Sequence, residues 1–168
     1  MNPPKEIELL REALQYDADT GEFKWRIRGG GTAQPGARAG STSAKGYVKI
    51  QWKERAVKAR RLAWWMHYGV WPSACIDHIN GVRDDNRIAN LRLATKAQNA
   101  QNIRLPRKDN KCGYLGVYAR GGRWRAEIQA EGRTVYLGVF DTPQEAHDAY
   151  LQAKQRCHPF QTLKENNK

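Results

Sequence analysis

The chain has 168 residues, enough for one ordinary domain or two small ones. With 40% hydrophobic residues, six Trp and seven Tyr, it is no disordered or low-complexity polymer. Lys plus Arg number 29 against 17 Asp plus Glu, a net charge of +12 that suits a polyanion, nucleic acid before acidic membrane. Charge alone balances that reading evenly against a merely soluble basic protein. No apolar run reaches membrane-spanning length, so no membrane partner is expected. Three scattered cysteines form no Cys-x-x-Cys pair, which argues against zinc, and their odd number points to free thiols in a reducing cytoplasm.

In chain order, Ile7–Leu14 reads as a short helix with Ile7, Leu10 and Leu14 on one face. Asp19-Thr20-Gly21 supplies a turn before a strand toward Trp25. Residues 29–44, rich in Gly, Ala, Ser and Thr, read as a mobile loop. Gly46–Trp52 alternates like a strand, with Arg55–Ala59 as its hairpin partner. Arg60–Tyr68 reads as a helix with Leu62, Trp65 and Met66 on one stripe and Gly69 ending it. His67 inside it reads as packed or solvent-facing. Residues 104–112 read as a linker. Three strands follow at Gly116–Tyr118, Trp124–Gln129 and Thr134–Phe140, with Gly121-Gly122 and Glu131-Gly132 as turns. Thr142-Pro143-Gln144-Glu145 then opens a helix whose inward stripe is Ala146, Ala149, Tyr150 and Ala153.

The charge excess is +2 over residues 1–50, +6 over 51–105 and +4 over 106–168, interleaved with aromatics. In the most basic third, a short apolar strand ends in Asp77-His78. A polar loop follows, with Asn80-Gly81 as a turn, then Asp84-Asp85-Asn86. Asn90–Leu93 reads as a second strand, and Thr95 can cap a helix carrying Gln98, Asn99 and Asn102. Phosphodiester hydrolysis needs a base near neutral pH, which a His supplies. It also needs charge stabilisation at the phosphate, which a hard divalent cation supplies through oxygen ligands. Asp77 offers a carboxylate and Asn99 an amide oxygen. Asp84 and Asp85 read as solvated loop carboxylates or caps. Asn-rich loops also arise as plain turn formers.

This segment resembles the HNH endonucleases of the phage and homing type, through Asp-His-Ile-Asn-Gly, Asp-Asn-Arg, Asn-Leu-Arg and a helical Asn. The key positions are His78, Asn90 twelve residues later and Asn99 twenty-one residues later. The resemblance implies a ββα-metal fold, His78 as general base, Asp77 and Asn99 as metal ligands, and Asn90 as a brace for the loop that orients His78. It implies Mg²⁺ ahead of Mn²⁺, with no zinc. Relatives often place a His before Arg-Leu-Ala-Trp; here that position is Arg60, a candidate phosphate contact. For Arg61, phosphate contact and surface salt bridge stay open.

Residues 113–157 resemble the AP2 domain, a three-stranded sheet backed by one helix, through Gly116-Val117-Tyr118, Trp124–Ile128, Tyr136–Thr142 and Glu145–Tyr150. In that family the sheet lies in the major groove, which is about 12 Å wide. Strand alternation sets Trp124, Ala126 and Ile128 against Arg125, Glu127 and Gln129. Tyr118, Arg120, Arg123, Arg125, Glu127, Arg133 and Tyr136 are the candidate DNA contacts, against an expectation that half are merely solvated. Leu115 and Thr134 replace Arg residues common in plant members, so base specificity is not carried over.

The expected fold is α+β. Residues 1–103 form an N-terminal region with a ββα-metal module at 60–103. Residues 104–112 link it to a three-stranded antiparallel sheet on one helix at 113–160, and 161–168 form a tail. The expected function is a metal-dependent endonuclease on double-stranded DNA, monomeric. A non-enzymatic AP2-type DNA-binding protein with an HNH scaffold, or an RNA-binding protein, are the competing readings.

Overall fold

A computed structural model describes residues 3–29, 33–103, 105–106 and 110–161. Parts of the expected loop (30–32), linker (104 and 107–109) and tail (162–168) therefore lie outside the described residues. The chain divides into two compact units, Met1–Lys96 and Ala97–Lys168. Both mix helices with small antiparallel sheets. Among the described residues, no helix is long and apolar enough to cross a membrane.

The first unit opens with helix α1 (Lys5–Ala13), which buries Leu10 and Ala13. Leu14, expected as its last turn, is instead extended and starts strand β1 (Leu14–Tyr16). There it is fully buried opposite Trp25 of β2 (Phe23–Trp25). The turn between them is tied by Asp17, whose Oδ1 accepts the backbone N–H groups of Asp19 (3.0 Å) and Thr20 (3.1 Å). Those two bonds, the Thr20 one foremost, hold the Asp17 carboxyl below its ordinary range.

The segment expected to be a mobile loop is anchored where it is described. Trp25 N–H donates to Ala37 (2.9 Å), Ala39 N–H donates to Phe23 (2.7 Å), and Ala39 is buried. Small side chains there serve close packing rather than looseness. Three strands follow, β3 (Ser41–Thr42), β4 (Val48–Trp52) and β5 (Arg55–Lys58), in the order β3-β4-β5. Ile50 and Val57 pair across the sheet on its core face.

Helix α2 (Ala59–Tyr68) buries Leu62 and Trp65 of the expected stripe and Ala63 beside them, while Met66 is half-buried. Gly69 closes it in the left-handed conformation at φ 73°. His67 is exposed and meets only the Tyr68 ring edge-on. Strand β6 (Cys75–His78) pairs antiparallel with β7 (Leu91–Ala94). Asn90 is not in that strand, as its sequence suggests, but ends a 3-10 turn (Ile88–Asn90), because its side chain is committed to the preceding loop.

In the second unit, helix α3 (Lys96–Gln101) has its first residue at the seam and buries none of its side chains. Strands β8 (Val117–Arg120), β9 (Arg123–Ala130) and β10 (Arg133–Phe140) form an antiparallel sheet with β9 central. Both hairpin turns have two positive-φ residues, Gly121-Gly122 and Glu131-Gly132, the backbone that matches strand twist. Helix α4 (Pro143–Cys157) starts with a full capping box between Thr142 and Glu145. It lays Ala146, Tyr150 and Ala153 against Val117, Ala126 and Ile128.

A lysine completes that buried face. Lys154 is 1% exposed, and its ammonium donates to the Ile103 carbonyl just beyond α3. Gln101 Oε1 accepts the Phe160 N–H (3.2 Å), a second tie between α3 and the segment after α4.

Gly116, expected inside a strand, precedes β8 at φ +71°, and a Cβ there would lie 2.1 Å from the Tyr150 ring. Gly116→Ala combines left-handed strain with overpacking, so we expect a loss of about 3 kcal/mol in urea unfolding. Unchanged stability would show that the Tyr150 contact is not tight.

Candidate functional site

The site grows from the β6–β7 hairpin. Register places Asp77 opposite Arg92 and His78 opposite Leu91. Asp77 is 7% exposed, and its Oδ2 meets Arg92 Nε at 3.0 Å and Nη2 at 2.9 Å. That pair gives a largely buried carboxylate a charge-assisted partner. His78, one residue on, is 4% exposed and sits at the end of the strand.

Between the strands runs the loop 79–87, and Asn90 closes it. Asn90 Oδ1 accepts the Asn80 N–H (2.9 Å), and Asn90 Nδ2 donates to the Asp85 carbonyl (2.8 Å). The Ile79 N–H also donates to the Asn90 carbonyl (2.9 Å). One buried amide thereby ties both ends of the loop. The loop carboxylate Asp85 is not solvated, contrary to its sequence reading, with a side chain 13% exposed. It accepts from Arg87 Nε (2.8 Å), Arg87 Nη2 (2.6 Å) and Asn80 Nδ2 (2.7 Å). These donors, Arg87 first, hold its pKa down from 3.8 to about 2.

Asn86 connects the loop to the histidine. Its Nδ2 donates to the Asp84 carbonyl (3.1 Å), which turns Oδ1 toward His78 Nε2 at 3.3 Å. An Nε2–H donating to that oxygen leaves the basic lone pair on Nδ1. Burial holds the His78 imidazole below its ordinary pKa, and the Arg60 charge adds to this, against the Asn86 bond. The ring is thus kept neutral, the state that can accept a proton.

The β1–β2 turn braces the same loop. Tyr16 OH donates to the Asn86 carbonyl (2.7 Å), and Ile88 N–H donates to Ala18 (3.0 Å). A Cβ on Gly21, at φ +74°, would lie 2.4 Å from the Arg87 nitrogen, so only glycine lets the two loops meet.

The remaining candidates fall in different places. Arg60 lies with its guanidinium carbon 4.3 Å from the Tyr47 ring centroid, and that ring is 6.0 Å from the His78 ring. Arg61 donates to the carbonyls of Ala74 (3.1 Å) and Pro72 (2.8 Å) and covers Trp71. It therefore clasps its own chain after α2, a role its sequence did not suggest. Asn99 is exposed on α3, whereas Asn102 is 8% exposed; both belong to the second unit.

On the second unit's sheet, the registers Tyr118↔Arg125, Arg120↔Arg123 and Tyr136↔Glu127 put those six candidates on one face, opposite α4. Arg133 pairs with Ala130 and so belongs to the other set. Arg125 pairs with Glu127 and lies 5.6 Å from the Tyr136 ring. Arg123 pairs with Asp141 at 2.8 Å, both exposed, a contact of small energy that another anion can replace. Arg120 adds a third cation on that face.

Sequence reasoning missed Tyr47, Arg83, Asn86 as the histidine's partner, and the Arg92 pair. Only Arg92 had a signal, since antiparallel pairing of two strands ending at Asp77-His78 sets it opposite Asp77.

Two outcomes follow. Asn90→Ala leaves the Asn80 N–H and the Asp85 carbonyl unpaired, costing about 2–3 kcal/mol. Amide exchange at Ile79–Gly81 should accelerate, and unaltered protection there would remove Asn90 from the bracing role. Asp85 has a lowered folded pKa, so its stabilisation is present above the unfolded value of 3.8 and lost as pH falls toward about 2. Asp85→Asn should flatten the acid limb of the stability curve in that window.

Among the described residues, no three His, Cys, Asp or Glu side chains cluster to hold a metal. The donors in question are oxygens, one carboxylate and one amide. No curated protein and no solved structure matches the chain. Residues 57–101, which carry α2, the β6–β7 hairpin with its pinned loop, and α3, match the model of an HNH endonuclease family.

Proposed function

We propose that this protein is a metal-dependent DNA endonuclease of the HNH homing type, with His78 as general base. The observation that carries the reading is the histidine itself. It is buried at the end of β6 and lies against Asn86, inside a segment that matches the HNH model.

His78 accepts the proton of the attacking water on Nδ1 while Asn86 holds Nε2. Asn90 acts through the loop, fixing Asn86 and so the ring. Asp77 and Asn99 would hold the divalent cation. Their oxygen-only chemistry, with a single carboxylate, fits Mg²⁺ or Mn²⁺, which take most ligands from water and phosphate. When bound, that cation supplies charge neutralisation at the phosphate and the leaving oxygen. Arg92 keeps the Asp77 carboxylate aligned.

In this reading the β8-β9-β10 sheet is an AP2-like module that grips duplex DNA. Tyr118, Arg120, Arg123, Arg125 and Tyr136 supply a basic, aromatic face with Glu127 among them. Arg133, on the other set, serves phosphate contact at the sheet's edge at most. Arg ion pairs exchange readily for phosphate oxygens, which favours backbone gripping over base reading.

Supercoiled plasmid carrying the protein's own genomic locus tests the reading. Purified protein with Mg²⁺ or Mn²⁺ should convert it to open-circle or linear DNA, and EDTA should stop the reaction. His78→Ala should lower the rate by about 10²–10⁴-fold with DNA affinity kept. Cleavage retained by that variant would remove His78 from its role. Metal-independent binding with no strand breaks would favour a non-enzymatic DNA-binding protein instead.

A further inference from the structure

Of the three carboxylates around the His78 loop, Asp77 is matched to Arg92 and Asp85 to Arg87, while Asp84 is exposed. Among the described residues, two further arginines near His78 are matched to no carboxylate. Arg60 enters from the first turn of α2 and Arg83 from the loop 79–87, and both lie against one ring, that of Tyr47 just before β4. The guanidinium carbons are 4.3 Å and 5.1 Å from its centroid. The ring stands 6.0 Å from that of His78.

Arg83 spends Nη1 on the Lys45 carbonyl (2.9 Å), which fixes its reach across the ring. Among the described residues, Arg60 makes no hydrogen bond or ion pair, and the Tyr47 hydroxyl has no partner. Arg60 and Tyr47 are half-buried and Arg83 is exposed. Two like charges drawn to one ring, with no carboxylate between them, repel each other unless an anion joins them. An aromatic face attracts cations but does not neutralise them. The unmatched donors are planar guanidinium forks and a phenol, the groups suited to a tetrahedral oxyanion with delocalised charge.

We propose that Tyr47, Arg60 and Arg83 form a phosphodiester-binding site beside His78, which holds the substrate strand by its backbone next to the bond that is cut. The role of the cut bond rests on the nuclease reading above; the phosphate site itself does not. Tyr47 is the spacer that sets the two guanidinium groups apart. Arg60 is therefore more than a residue at a family position, since it acts as one half of a clamp.

The test is DNA binding by the full chain in EDTA, so that no strand is cut. The probe is a short fluorescent duplex of arbitrary sequence, titrated at several salt concentrations. Each lost phosphate contact lowers the slope of log Kd against log salt by about one. Arg60→Ala with Arg83→Ala should lower it by about two and weaken binding by about tenfold or more at physiological salt. Arg60→Lys keeps the charge and should keep the slope; Tyr47→Phe keeps the ring and should lose only the hydroxyl's share. Thermal melting checks each fold. If Arg60→Ala unfolds, Arg83→Ala alone should still lower the slope by about one. A folded double variant with unchanged slope and affinity overturns the site. If the wild type never cuts plasmid while the double variant loses the slope, the nuclease reading falls and the phosphate site stands. If the wild type cuts through His78 while the slope is unmoved, the reverse holds.

Discussion

The arrangement around His78 depends on one buried amide that closes the loop beside it. Asn90 takes an N–H at one end of the loop and gives an N–H to a carbonyl at the other. Neither bond touches His78. Without them the Asn80–Asp85 span loses its closure, and only the ties at Asn86 and Ile88 still hold the loop from which the imidazole is positioned. A net worth of about 1 kcal/mol per bond is small beside the stability of a domain. Its leverage comes from where it acts, since the loop is short and its ends are already close in the hairpin.

The same loop shows how charge is sorted. Arg92 on β7 and Arg87 at the loop's last position are each bound to a carboxylate, and this holds those carboxylates in place. Arginines on α2 and within the loop are held by a ring instead. Carboxylate pairing neutralises a guanidinium, whereas π-contact positions it with its charge intact. A basic protein can thus stay ordered around its site and still present positive charge there.

Much of the second unit was legible in the sequence. Two-glycine and Glu-Gly turns, strict alternation along β9 and the Thr142–Glu145 box are local signals, and each produced its element. The strand ending in Asp77-His78 was legible for the same reason. Boundaries failed where a side chain's long-range duty overrode its local pattern. Leu14 left its helix to pair with Trp25, and Asn90 left its strand to serve the loop. The partners of Tyr47, Gly21 and Lys154 come from distant parts of the chain, and no periodicity announces such pairs. Asp85 looked like a turn former and proved to be a hub, because composition cannot say which carboxylate an arginine will choose.

Helix α3 carries a further consequence. It is six residues long and buries none of its side chains, so it is far too short to persist alone. Its described ties run to the end of the chain, through Lys154 on the carbonyl after it and through Phe160 on Gln101. The similarity to the HNH endonuclease family stops at residue 101, but the compact unit that holds α3 runs on beyond it. A chimera cut at residue 101, where the family match ends, would therefore lose both of those ties. One that carries α4 and the segment after it keeps them.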